Sequence, residues 1–80
     1  MSEIQIKANE TLDLKGVPCP LNYVRTKLKL ETMQTGDILE VILDDGQPTK
    51  NVPLSLKQDG HEILIQEKIN ERFWRIFVKK

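Results

Sequence analysis

The single cysteine of this 80-residue chain, Cys19, stands between Pro18 and Pro20 in the stretch GVPCPLN, residues 16–22. A thiol acts as a nucleophile through its thiolate. Prolines on both sides restrict the backbone, so the sulfur is held in a fixed presentation. Proline also suits the first position of a helix, where its missing N–H costs nothing. If a helix opens at Pro20, Cys19 is its N-cap. Unpaired backbone N–H groups and the positive end of the helix dipole then favour thiolate over thiol. Arg25, Lys27 and Lys29 add positive charge along the same helix, much of it screened by solvent. Residue type alone leaves a second reading open, in which Cys19 is a buried, inert, small hydrophobe.

The other side chains narrow the chemistry. Nucleophilic catalysis by cysteine needs a base, usually histidine, and the only histidine is His61, about forty positions along. Dithiol redox chemistry needs a second cysteine, and none is present. One cysteine and one histidine do not build a zinc site of the usual kind. Gly16, Gly36, Gly46 and Gly60 are too far apart for a phosphate-cradling loop. A lone activated thiol suits transfer between molecules, in which the second thiol always belongs to a partner.

Those residues must be positioned by one small domain. Apolar residues are 39% of the chain and charged residues 30%, ordinary for a globular domain. No apolar run is long enough to span a membrane, and the first ten residues lack the pattern of a secretory signal. A cytoplasmic protein without membrane contact is expected. Twelve basic and twelve acidic side chains cancel, which argues against direct nucleic-acid binding.

Residues 1–10 read as an extension, with Ile4 and Ile6 alternating as in an edge strand, and residues 11–80 as the domain. TLDL, 11–14, is a short strand. Gly16 permits the turn that follows, and Pro18 bars helix at Val17. The spacing predicts a helix from Pro20 to about Met33, with Gly36 as its C-terminal breaker. ILEVILD, 38–44, reads as a strand covered on both faces. A second helix follows, opened either by Pro48, with Pro53 inside it, or by Asn51 as cap. HEILIQEKI, 61–69, and RFWRIFVK, 72–79, form a terminal hairpin whose Trp74, Ile76 and Val78 face the core. The order β-α-β-α-β-β predicts an α/β two-layer sandwich, a mixed four-stranded sheet with both helices on one face.

The first helix carries two apolar stripes. Tyr23, Thr26, Leu30 and Met33 line one side; Leu21, Val24 and Leu28 line roughly the opposite side. One stripe is core. The other is either partly covered by the N-terminal extension or, beginning beside Cys19 and including Arg25, a docking face for a partner.

TLDLKGVPCPLN, GDILEVILDD, NVP, GHE and the closing WRIFVKK resemble the TusA/SirA-like family of small sulfur carriers. The likeness covers residues 11–80, and Leu12, Asp13, Gly16, Cys19 and Pro20 match the family's mark, a Cys-Pro-x-Pro motif after a Leu-Asp-x-x-Gly turn. The resemblance implies the same sandwich and a cysteine that carries sulfur as a persulfide. It implies loading by a cysteine desulfurase or similar donor and delivery to an acceptor protein, in pathways such as tRNA thiolation or cofactor biosynthesis. The carrier itself holds no cofactor and is expected to be a monomer.

Two departures stand out. Asn22 replaces the motif's second proline, restoring an N–H and adding a polar group in the first helical turn, which bears on partner choice and thiol pKa. Asn51-Val52-Pro53 lacks the acidic residue the family often has before its Ile-Pro.

Within this reading Pro18, Pro20, Asn22, Asp13 and Gly16 support the thiol. Asp13 is expected to accept backbone N–H bonds in the turn. His61 is expected in a surface turn, Asp44 and Asp45 as turn and capping residues before the second helix, and Lys79 and Lys80 as a solvated tail. The competing function is a non-catalytic regulatory interaction module of the same fold in which Cys19 is incidental. An RNA-binding role through Arg25, Lys27, Lys29 and the C-terminal lysines is opposed by the zero net charge.

Overall fold

The computed structural model describes residues 8–18 and 21–80. The expected strand around Ile4 and Ile6, and the helix start at Cys19 and Pro20, lie outside the described residues. Six elements follow the expected order: β1 (Glu10–Asp13), α1 (Leu21–Glu31), β2 (Ile38–Asp44), α2 (Gln47–Gln58), β3 (Glu62–Lys68) and β4 (Phe73–Lys79). The strands form one mixed sheet in the order β1-β2-β4-β3.

β1 and β2 are parallel, with Asp13 opposite Ile42, so the chain must cross over between them, and α1 is that crossover. β4 enters antiparallel between β2 and β3, with Val41 opposite Ile76 and Gln66 opposite Ile76 on the other side. β2 and β3 therefore point the same way, joined by α2. The ladder of β3 carries an irregularity between Ile63 and Ile65.

Side-chain alternation decides which sheet face the helices cover. Leu39, Val41 and Leu43 of β2 are fully buried and pack with Leu30 of α1 and Val52 and Leu56 of α2. Both helices thus lie on one face. Ile76 and Val78 join this core as expected, while Trp74 is only half-buried and its indole N–H donates to Asp45 at 2.6 Å.

The expectation that β2 is covered on both faces is corrected. Ile38, Glu40, Ile42 and Asp44 are half-buried, because no element covers the second face among the described residues. Side chains close it instead. Arg75 bridges Glu40 and Glu67 and lies over the Phe77 ring, 5.7 Å from its centre. Phe77 is buried beneath this network.

The helix ends also differ from expectation. α1 stops at Glu31, well before Gly36. Thr32 and Met33 bond back three residues, to Lys29 and Leu30, and the Thr32 hydroxyl also takes the Lys29 carbonyl. This tightening closes the helix without a glycine. Of the two openings for α2, Pro48 in the first turn is the one observed, after Gly46 at positive φ, with Pro53 buried inside the helix. Pro53 has no N–H for the Thr49 carbonyl. The Gln66 amide of β3 donates to that carbonyl instead, at 2.6 Å.

Candidate functional site

The parallel strands β1 and β2 end at the same edge of the sheet, where open α/β sheets commonly build their sites. The turn leading toward Cys19 starts there. Leu14 continues the ladder by donating to the Ile42 carbonyl at 2.9 Å, and Val17 donates back to the Leu14 carbonyl at 3.1 Å. Between them Gly16 adopts φ +79, a conformation costly for a residue with a Cβ.

Two carboxylates hold this turn. Asp13 accepts the Lys15 N–H at 3.0 Å, the turn bond expected of it. Asp44 accepts the Gly16 N–H with both oxygens, at 2.9 and 3.2 Å. The Lys15 ammonium lies 5.2 Å from the centre of the Phe73 ring, and Phe73 is the cross-strand neighbour of Asp44.

On the far side of Cys19 the chain is fixed again. Asn22 donates its backbone N–H to the Pro18 carbonyl at 3.2 Å, a bond that proline at this position could not make. The Asn22 side chain is fully buried, and its Oδ1 accepts the Tyr23 N–H at 2.7 Å. The Thr26 hydroxyl donates to the Asn22 carbonyl at 2.8 Å, deep in the same helix face. Cys19 and Pro20 lie outside the described residues, so the site is defined by what brackets them.

α1 sorts its two stripes clearly. Thr26, Leu30 and Met33 are buried and Tyr23 packs beside them. Leu21, Val24 and Leu28 are 48%, 41% and 57% exposed. Arg25 shares their side of the helix, at the i+4 position from Leu21. Lys27 pairs with Asp59 and Lys29 with Glu10, whereas Arg25 has no ion pair among the described residues.

Two sequence expectations change here. Asp44 and Asp45 do not cap α2, whose N-cap Gly46 has no side-chain bond. Asp44 closes a central strand and bonds the Gly16 turn, while Asp45 lies in the expected turn before α2 and accepts from Trp74. Lys80 is no solvated tail. Its ammonium donates to the Met33 carbonyl, its N–H to Asp37, and its carbonyl accepts the Gly36 N–H. His61 precedes β3 where Glu62 faces Lys79, and its backbone N–H bonds Leu56. That is the sheet end opposite Asp44, and it agrees with a turn residue.

A sheet of this topology under two helices, with the Gly16 turn leading toward Cys19 at the carboxyl end of its parallel strands, defines a small α/β two-layer sandwich. The family model for sulfurtransferase TusA matches residues 10–80. A provisionally named sulfur carrier protein of Archaeoglobus fulgidus is 50% identical over 76 residues, covering 95% of this chain and 86% of its own length. Another from Thermotoga maritima is 37% identical, covering 99% and 98%. Among solved structures, a SirA-like protein from Desulfitobacterium hafniense superposes with a TM-score of 0.71 at 24% identity, over 86% of this chain and 95% of that one. The chain belongs to the TusA sulfurtransferase family.

Proposed function

We propose that Cys19 carries sulfur as a persulfide between two proteins. The Cys19 thiolate attacks the outer sulfur of a persulfide on a cysteine desulfurase or similar donor. A new S–S bond forms on Cys19, the donor's S–S bond breaks, and the donor leaves as its thiolate. An acceptor protein's thiolate then takes the outer sulfur in the same way, and Cys19 returns to thiolate. No external oxidant or reductant is needed. The observation that carries this reading is family membership together with the cysteine-proline motif at Cys19 and Pro20.

Pro18, Pro20, Asn22, Asp13 and Gly16 keep the thiol presented, and the stripe of Leu21, Val24, Arg25 and Leu28 docks the donor or the acceptor. The carrier works as a monomer in the cytoplasm, and its sulfur feeds tRNA thiolation or cofactor biosynthesis. No helix of the described residues is long and apolar enough to cross a membrane.

The test is intact mass under non-reducing conditions after incubation with cysteine and the cysteine desulfurases of the same cell. Wild type should gain one sulfur that a reductant removes, and Cys19→Ser should gain none. No gain on wild type, while a known carrier loads in parallel, would favour an interaction module in which Cys19 is incidental.

A further inference from the structure

We propose that Asp44 is a positioning residue for Cys19, clamping the turn that leads to it; this rests on the reading of Cys19 as the working thiol. Asp44 closes β2, an interior strand, and its backbone is held from the β4 side, where Phe73 faces it and Asp45 donates to the Arg72 carbonyl at 2.8 Å. The carboxylate therefore projects from one of the better-anchored positions in the sheet. Both its oxygens converge on a single donor, the N–H of Gly16, three residues before Cys19.

Gly16 sits at positive φ in a turn whose own backbone bonds are made by Leu14 and Val17, so its N–H is met by no backbone carbonyl of the described residues. Charge-assisted bonds to a carboxylate are among the stronger ones. The neighbouring Lys15 is held over Phe73, the residue paired with Asp44, so turn, carboxylate and strand form one unit. Gly16, Asp44 and the Asn22–Pro18 bond fix the chain before and after Cys19. A thiolate draws on a helix N-terminus only while it is held there, and a released turn would average that stabilisation away.

The test compares Asp44→Asn with Asp44→Ala in the full chain. Both are neutral, so nearby charge is equal; only asparagine retains an oxygen that can meet the Gly16 N–H. The readout is the pH midpoint for alkylation of Cys19 by iodoacetamide. The midpoint in Asp44→Ala should lie about half a unit above that in Asp44→Asn, displaced toward the value near 8.5 of an ordinary cysteine. Asp44→Val, which suits a strand and lacks the acceptor, should match Asp44→Ala and stands in if the alanine variant fails to fold. Equal midpoints in the asparagine variant and the acceptor-free variant would overturn the assignment. Sulfur loading of wild type is measured separately. Its absence, with the midpoints still separated, would sink the carrier reading and leave the role of Asp44 standing.

Discussion

Tyr23 donates its phenol hydrogen to the Asp59 carboxylate, tying α1 to the residue that caps α2. Ionising the phenol breaks that bond. Its pKa is raised, first by the hydrogen bond to Asp59, then by burial, then by the negative charge of Asp59. The sign of the stability effect follows from the folded pKa exceeding the unfolded one. The contribution is complete below the ordinary phenol value of about 10 and is lost as pH rises through the folded value. Urea unfolding between pH 8 and 11 should therefore show wild type losing stability at the alkaline end. Tyr23→Phe should start lower and lose less over the same range, and parallel curves for the two proteins would exclude the linkage. Single residues were unevenly legible in the sequence. Asp13 could be read because an aspartate two residues before its partner forms a local turn bond. Asp44 could not, because its partner is 28 positions away and is reached only once β1 and β2 pair in parallel. The available signal was positional: an acid ending a central apolar strand whose parallel neighbour runs straight into a glycine turn.

At the scale of elements, β2 was read to the residue, because an apolar run between two glycine turns has few other solutions. α1 ends at Glu31, short of the Met33 that its periodicity predicts. Its end is set by Thr32 and by bonds that tighten the last turn, and neither leaves a periodic trace. The sequence offers two openings for α2 because its prolines compete, and the tertiary partner of Thr49 decides between them. That partner gives a test. Gln66→Leu removes the donor to the Thr49 carbonyl inside a buried stretch of helix. Gln66 is itself exposed, so water partly replaces it, and the cost should be about 1 kcal/mol. In a Pro53→Ala background the helix supplies its own N–H at position 53, and the same substitution should then cost clearly less. A double-mutant cycle by chemical denaturation reads the coupling directly. Zero coupling would mean that Gln66 is not compensating for Pro53.

The whole molecule divides its labour by face and by end. One sheet face carries the helices and the core. The other is closed by the Arg75 network with Glu40 and Glu67. The carboxyl end of β1 and β2 holds the turn toward Cys19, while the C-terminal lysine staples the opposite end. The two-layer sandwich was legible from element order because a parallel pair requires a crossover and short amphipathic helices have one sheet to cover. Which stripe of α1 faces that sheet was not legible, since both have helical spacing; Thr26 goes inside because its hydroxyl is satisfied by the Asn22 carbonyl. The outer stripe can now be tested without risk to the core. Leu28 is 57% exposed, so Leu28→Lys should change stability by no more than about 0.5 kcal/mol. If the stripe seats a sulfur donor or acceptor, a buried ammonium there would cost binding at the centre of the contact, and transfer should slow about tenfold. Alkylation of Cys19 by a small reagent should stay at the wild-type rate, because that reaction needs no docking. Transfer at the wild-type rate in a folded Leu28→Lys protein would place the docking surface elsewhere. Loss of both rates together would mean that the substitution reaches the thiol itself.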